Sequence, residues 1–162
     1  MYNVTMTEKI PKLYVLIGVP GSGKSTWVND QEWASECAYI STDKYVEEWA
    51  ESVKKTYSEV FSEYMPIAVA KMAGAVNGAR DAGKDIIWDQ TSTTIASRKR
   101  KFNMLPNYYH IAVVFKTPDH KELMHRLASR PGKEIPEHVI ASMIASWEDP
   151  TEEEGFKEIW YT

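Results

Sequence analysis

The stretch VLIGVPGSGKSTWV, residues 15–28, constrains the fold of this 162-residue chain more than any other segment. An apolar run from Lys12 to Val19, rich in β-branched and aromatic residues, ends at a Pro-Gly pair, which is typical of a buried strand followed by a turn. The pattern G-x-x-x-x-G-K-[ST] occupies residues 18–25, and a helix is expected from about Lys24. This order of strand, loop and helix is the context that a phosphate-binding loop requires.

Such a loop can surround a polyphosphate, because its glycines let backbone N–H groups and the positive end of the following helix approach the ligand closely. We expect Lys24 to reach the β and γ phosphates of ATP or GTP and the Ser25 hydroxyl to bind Mg²⁺. The alternative is a glycine-rich turn with a solvated lysine, but the pattern should arise by chance in only roughly one chain in a hundred. The expected nucleotide-binding residues are Gly21, Ser22, Gly23, Lys24, Ser25 and Thr26.

Short apolar runs alternate with helical patterns along the rest of the chain. Strands are expected at residues 37–41, 85–89 and 109–116, with a last one near 155–161. A long helical segment at 56–80 contains Pro66, which we expect to break or kink it. Alternating strands and helices imply a parallel sheet covered on both faces, so the prediction is a single three-layer α/β/α domain over residues 1–162.

The net charge and composition of the chain exclude several classes of protein. A formal net charge of −4 argues against a broad basic surface that holds duplex nucleic acid by counterion release, although RKRK at 98–101 could follow a single strand. No stretch approaches the roughly 20 apolar residues of a membrane span. The first residues lack a secretory signal pattern, and the single Cys37 cannot form an internal disulfide, so we expect a cytoplasmic protein with no membrane contact.

Two aspartates follow predicted strands. Asp43 and Asp89 should lie at the carboxyl edge of the sheet, where ligands of open parallel sheets bind. Phosphoryl transfer needs a group that accepts a hydroxyl proton and carboxylates that organise the metal, and these two residues could divide the roles. The alternatives are a plain helix N-cap for Asp43 and a turn carboxylate for Asp89.

A helical segment, DHKELMHRLASR, carries two arginines one turn apart. Arg126 and Arg130 are expected on one face, away from Leu123 and Leu127. Together with the Gly- and Pro-containing loop that follows, they could form a lid, at about residues 126–137, that neutralises charge on the triphosphate. A solvated charged face is the alternative.

The segments GVPGSGKSTW, YISTDKY, WDQTSTTIASRKR, ELMHRLASRPGKEIPEHVIASM and PTEEEGFKEI together resemble the P-loop kinase domain of the phage and animal polynucleotide 5′-hydroxyl kinases, within a wider group of small zeta-toxin-like and AAA-type kinases. The resemblance covers nearly the whole chain and implies a P-loop kinase fold with a helical lid. It implies Asp43 as the general base, with Arg126 and Arg130 on the ATP phosphates. Near the acceptor strand it implies Asp89, Thr91 and Arg98.

The sequence departs from this family on the acceptor side. The position of an acceptor-gripping arginine, three residues after the catalytic aspartate, is Val46 here, and the Asn of the D-x-T-N pattern is Ser92. Three functions therefore stay open. The first is ATP-dependent phosphorylation of the 5′-hydroxyl end of single-stranded DNA or RNA, the second phosphorylation of a nucleoside, nucleotide or sugar, and the third a P-loop ATPase or switch without a phosphoryl acceptor.

Overall fold

The computed structural model describes residues 9–162, so the expectation about a signal at the first eight residues lies outside it. Its strands are β1 (Lys12–Ile17), β2 (Ala38–Ile40), β3 (Ile86–Asp89), β4 (Tyr109–Val114) and β5 (Glu158–Tyr161). Its α-helices are α1 (Lys24–Asn29), α2 (Thr42–Ser52), α3 (Tyr57–Asp81), α4 (Ile95–Met104), α5 (His120–Ala128) and α6 (Glu137–Ala145). Two short 3-10 helices cover Glu32–Glu36 and Glu152–Glu154.

The five strands form one parallel sheet in the order β2-β3-β1-β4-β5, as the alternating pattern predicted. Strand β1 is central and pairs with β3 on one side and β4 on the other. Both of its faces are buried: Leu13 and Val15 pack with the apolar side of α3, while Tyr14 and Leu16 pack towards α1. Helices on both faces are what a parallel sheet needs, and they give the three-layer α/β/α architecture.

Helix α3 is the longest element and runs unbroken through Pro66, so of the predicted break or kink the break is wrong. Pro66 lies on the exposed side of the helix, where water can satisfy the carbonyl that loses its partner. Thr56 and Glu59 start the helix with a reciprocal capping box. Its buried stripe, Val60, Tyr64, Ala68, Met72 and Val76, holds it against α2 and the sheet.

Arg98 is fully buried on α4 and corrects the prediction that it contacts an acceptor. Its Nε and Nη2 donate to the two carboxylate oxygens of Glu154 at 2.8 and 3.0 Å. Its Nη1 donates to the Ser92 carbonyl at 2.9 Å, and Nη2 also donates to the Glu148 carbonyl at 3.0 Å. Arg98 therefore ties the loop after β3 to the segment before β5, and no part of it is exposed to a ligand.

The basic run at 98–101 does not form a continuous basic surface. Lys101 is buried like Arg98, with its ammonium 5.1 Å from the centre of the Trp88 ring, because positions three apart lie on the same side of a helix. Only Lys99 and Arg100 are exposed. Within residues 9–162, no helix is long and apolar enough to cross a membrane.

We expect Arg98→Met to lower the free energy of unfolding by about 3 to 5 kcal/mol, because it leaves the Glu154 carboxylate buried without its partner. Lys99→Met, one position along the same helix, removes the same charge at an exposed site and should change it by less than about 0.5 kcal/mol. Urea denaturation followed by tryptophan fluorescence measures both. Equal stability of the two variants would contradict a structural role for Arg98.

Candidate active site

The glycine-rich loop leaves β1 and is fixed by its neighbours. The Gly18 amide donates to the Thr91 carbonyl at 3.0 Å, so the loop is joined to the segment that follows β3. Gly21 and Gly23 have φ values of 84° and 99°, in the region that favours glycine. A Cβ on Gly21 would lie 3.1 Å from the side chain of Leu123, because α5 packs directly on the loop. The predicted loop is therefore present, and Thr91 lies beside it.

Lys24, the first residue of α1, turns its side chain back over the loop. Its Nζ donates to the carbonyls of Gly18 and Val19 at 2.9 and 3.2 Å. Burial lowers the pKa of Lys24 to about 8, and the carboxylates of Asp89 and Asp43 partly oppose this shift. A cation that is desolvated in this way is stabilised by any anion that enters the loop.

Asp89 ends β3 next to β1, where Leu16 is its partner in the sheet, as its sequence position predicted. Its Oδ2 accepts a hydrogen bond from the Tyr39 hydroxyl, and Tyr39 and Ser25 line the same surface pocket. Burial raises the pKa of Asp89, although the Tyr39 hydrogen bond and the Lys24 charge act against the shift. Tyr39, on the edge strand β2, thus contacts the strand-end carboxylate on the side of the loop serine.

Ser25 and Asp89 offer the type of ligands that Mg²⁺ uses beside a nucleotide. Mg²⁺ is usually held by one or two carboxylates, a hydroxyl and phosphate oxygens rather than by an all-protein cage. Within the described part of the chain, no group of three His, Cys, Asp or Glu side chains could hold a metal by itself. One hydroxyl and one carboxylate beside a phosphate loop fit a metal that arrives with its nucleotide.

Asp43 lies in the first turn of α2, so it is not the N-cap, and that alternative is wrong; the N-cap is Ser41. Its carboxylate accepts a hydrogen bond on each oxygen, from the Tyr57 hydroxyl to Oδ1 at 2.6 Å and from the Lys133 ammonium to Oδ2 at 3.0 Å. Burial alone would raise the pKa of Asp43. The Lys133 charge and both hydrogen bonds outweigh burial, so the pKa lies below its usual value.

The two lid arginines lie differently from the prediction. Helix α5 ends at Ala128, so Arg130 is in the following loop and shares no helix face with Arg126. Arg126 Nη1 donates to the Gly21 carbonyl of the phosphate loop at 3.0 Å, and its Nε donates to Glu122 at 2.9 Å. The positive charge of Arg130 contributes to lowering the pKa of Lys24, and it opposes the rise in the pKa of Tyr57. Arg126 therefore contacts the phosphate loop directly from α5, whereas Arg130 acts on Lys24 through its charge from the loop that follows.

The structure thus brings together most of the residues that the sequence selected: Lys24, Ser25, Asp43, Asp89, Thr91, Arg126 and Arg130. It adds Tyr39 and Lys133, which sequence reasoning did not select, and Tyr57, which entered only as part of a helical segment. Tyr39 and Lys133 lie inside two of the segments that carry the family resemblance, but the resemblance gave neither a role, and each reaches the site through a tertiary contact. Arg98 is the one selected residue that lies away from it.

Comparison with known families and structures agrees with the observed fold. A family model described as an AAA domain matches residues 13–150. A candidate kinase from Chloroflexus aurantiacus superposes with a TM-score of 0.70 at 15% identity, over 96% of this chain and 86% of that one. The five-stranded parallel sheet with flanking helices is therefore a P-loop kinase-like fold.

Two other solved structures share the fold. Shikimate kinase from Acinetobacter baumannii, in complex with shikimate, has a TM-score of 0.56 at 19% identity and matches 96% of this chain and 85% of its own. A chain of the Pnkp1/Rnl/Hen1 RNA repair complex has a TM-score of 0.63 at 20% identity over 86% of this chain, but this chain spans only 45% of its length. At such identities the likeness concerns the fold.

We expect binding of Mg²⁺-ATP to take up a proton near pH 9 and almost none near pH 7. With a pKa of about 8, Lys24 is largely neutral at the higher pH in the free protein, and the phosphates favour its charged form. Calorimetry in buffers of different ionisation enthalpy measures this uptake. Lys24→Arg, which stays charged throughout, is the control that should abolish it. Equal uptake by both proteins would contradict the assignment.

Proposed function

The chain belongs to the AAA domain family, and on this premise we propose that it transfers the γ-phosphate of ATP to a hydroxyl group of an acceptor. The observation that carries this proposal is that a phosphate loop and a separate carboxylate, Asp43, lie at the same edge of the sheet. A phosphate loop with a partly buried lysine lies on one side, and on the other lies Asp43, an ionised carboxylate in the first turn of α2, the helix that follows β2.

The donor side is proposed to work through the loop and its lid. Backbone N–H groups at residues 21 and 23–25 and the Lys24 ammonium would bind the phosphates, while Ser25 and Asp89 would hold Mg²⁺. The bound metal would supply positive charge to the β and γ phosphate oxygens. Arg126 and Arg130 add cations from the lid, so negative charge that develops during transfer is stabilised in a partly desolvated site.

A cavity of about 660 Å³ supports a place for the base of the nucleotide. It opens at the carboxyl ends of β4 and β5, the same edge of the sheet that carries the phosphate loop. Trp147, which is partly exposed, and Tyr161, which is 71% exposed, contribute aromatic surface on which a purine can stack. We propose that the base of ATP binds there while its phosphates lie in the loop.

On the acceptor side, Asp43 is proposed to receive the proton of the attacking hydroxyl. The acceptor oxygen forms a bond to the γ-phosphorus, the bond from that phosphorus to the β,γ-bridging oxygen breaks, and ADP leaves with those electrons. A lowered pKa keeps Asp43 ionised and ready to accept a hydrogen bond. Because the transition state of phosphoryl transfer is loose, orienting the hydroxyl matters more than strong basicity.

We propose the 5′-hydroxyl end of single-stranded DNA or RNA as the acceptor. The family resemblance supports this choice, and so do the aromatic side chains beside Asp43. The Tyr57 ring, whose hydroxyl contacts Asp43, lies 5.5 Å from the ring of Phe61, and Phe61 is 40% exposed. Exposed aromatic rings beside the reacting end can stack with nucleobases without sequence preference.

A small hydroxyl-bearing metabolite is the second candidate acceptor. The burial of two basic residues favours it, because few exposed cations remain to bind a polyanionic strand. Arg98 and Lys101 are buried, and the position of the family's acceptor-gripping arginine is the buried Val46. The remaining exposed cations of the run, Lys99 and Arg100, make a weak track for a polyanionic strand. The fold of shikimate kinase, a small-molecule kinase, is also shared with this chain.

The acceptor can be identified by transfer of radiolabelled γ-phosphate from Mg²⁺-ATP. We expect label on 5′-hydroxyl DNA or RNA strands and none on strands that already carry a 5′-phosphate. Nucleosides, nucleoside 3′-monophosphates, gluconate and shikimate form the small-molecule part of the panel. Label on these alone would replace the polynucleotide proposal with the second candidate, whereas release of free phosphate alone would favour an ATPase.

Asp43→Asn should lower kcat for transfer by about 10²- to 10⁴-fold, because the amide cannot accept the hydroxyl proton. The Kd for ATP should stay within about twofold, since Asp43 is not part of the phosphate loop. Glu48→Gln removes an exposed carboxylate from the same helix and serves as the control. Full transfer by Asp43→Asn in an assay where Lys24→Ala is inactive would disprove the role of Asp43.

A further inference from the structure

The loop between α5 and α6 is docked against the start of α3. The Gly132 carbonyl accepts a hydrogen bond from the Ser58 amide at 3.1 Å, and the Glu134 amide donates to the Ser58 hydroxyl at 2.8 Å. Gly132 has a φ of 70°, and a Cβ there would lie only 2.9 Å from Cβ of Thr56. The lid loop is therefore in direct contact with the helices that carry the acceptor side of the site.

Lys133 lies at the centre of this contact, with a side chain only 13% exposed. Its ammonium is 3.0 Å from Oδ2 of Asp43 and 3.8 Å from Oε1 of Glu47, both on α2. The same ammonium lies 4.4 Å from the centre of the Tyr57 ring, on α3. One lysine of the lid thus contacts both acceptor-side helices and the candidate base.

These contacts hold the carboxylate of Asp43 in one orientation. Tyr57 binds one oxygen and Lys133 binds the other, so rotation of the carboxylate would break two hydrogen bonds. The Lys133 ammonium is largely buried, whereas the Asp43 side chain is 48% exposed, so loss of the ammonium would leave a partly hydrated carboxylate held by the Tyr57 hydroxyl. Each carboxylate oxygen keeps a further lone pair, so Asp43 can still accept a hydrogen bond from a substrate hydroxyl.

We propose that Lys133 is a positioning residue for phosphoryl transfer: it fixes the Asp43 carboxylate and couples it to the lid, so that the base is oriented when the lid loop is docked. The proposal rests on the proposed function, because it gives Asp43 the role of base. Lys133 itself is not proposed to contact the reacting atoms. The lid would then align the acceptor side of the reaction as well as cover the donor phosphates.

Several charged groups face Asp43 and determine how it responds when Lys133 is removed. Three groups lower the pKa of Asp43: Lys133 from the lid loop, Tyr57 from α3 and Lys24 from the phosphate loop. Two further carboxylates lie nearby. Glu47 on α2 shares the Lys133 ammonium, and Asp89 lies at the end of β3. Without Lys133, burial and the two neighbouring carboxylates remain, opposed by Lys24 and the Tyr57 hydrogen bond. The pKa of Asp43 should therefore rise.

The test uses the full chain in three variants. Lys133→Met removes the charge and keeps an unbranched stem against the Tyr57 ring, and Lys133→Arg keeps the charge. Lys44→Met is the matched control, because Lys44 is exposed and adjacent to Asp43 in sequence. The first measurement, which needs no acceptor, follows the titration of the Asp43 carboxyl carbon by NMR, with Asp43→Asn to assign the signal.

We expect the titration of Asp43 to move to higher pH in Lys133→Met, and to stay close to that of the wild type in Lys133→Arg and Lys44→Met. An unchanged titration in Lys133→Met would overturn the contact on which the proposal depends. Backbone amide spectra of each variant verify that the fold is retained, so a shifted titration can be assigned to the lost ammonium.

The second measurement is transfer to whichever acceptor of the panel is labelled fastest. In Lys133→Met, kcat should fall by about tenfold or more while the KM for ATP changes by less than about twofold, and the acid limb of the pH profile should move to higher pH. Lys133→Arg should recover most of the rate. An unchanged kcat in Lys133→Met overturns the positioning role but leaves the proposed function intact. A wild-type protein that labels no acceptor refutes the proposed function, and the NMR titration still tests the contact.

Discussion

Parallel pairing of β1 with β3 and β4 is the interaction on which the rest of the site depends. In a parallel sheet all carboxyl ends meet at one edge, so the segments after β1, β2 and β3 must emerge side by side. Leu16 opposite Asp89 sets the register that brings the strand-end carboxylate next to the phosphate loop, and the hydrogen bond from Gly18 to Thr91 continues the pairing beyond the strands. A shift in this register would separate the lysine from its carboxylates.

Because these segments meet at one edge of the sheet, ionisable side chains lie close together there, and the pKa values of the two aspartates shift in opposite directions. Lys24 and Asp89 are both shifted towards their neutral forms by burial, whereas Asp43 is kept ionised by Lys133 and Tyr57. Two carboxylates at the same edge therefore differ in pKa because of their neighbours: Asp43 is held ionised, and Asp89 is shifted towards its neutral form. Lys24 also has to leave the carbonyls of Gly18 and Val19 to reach a phosphate, so its position should depend on the nucleotide.

Much of this could be predicted from the sequence where the signal is local. The positions of the phosphate loop and of the two aspartates can be predicted from residues adjacent in the chain. A glycine-rich turn or a carboxylate after a short apolar run marks where a strand ends. The family resemblance implies Arg98 near the acceptor, and RKRK at 98–101 could follow a strand, yet helical geometry turns positions 98 and 101 inwards together. Lys133 could not be found, since its role depends on the docking of a lid loop against α3, 76 residues away along the chain.

A crystal structure with Mg²⁺, ADP and aluminium fluoride would test the central claim that the phosphate loop and Asp43 serve one transfer reaction. The fluoride complex imitates the phosphoryl group in flight, with an oxygen of water or acceptor in line with ADP. Our account predicts that this oxygen lies within hydrogen-bond reach of an Asp43 carboxylate oxygen, about 2.6 to 3.2 Å. An in-line oxygen that faces away from Asp43 and is bound by another side chain would contradict it.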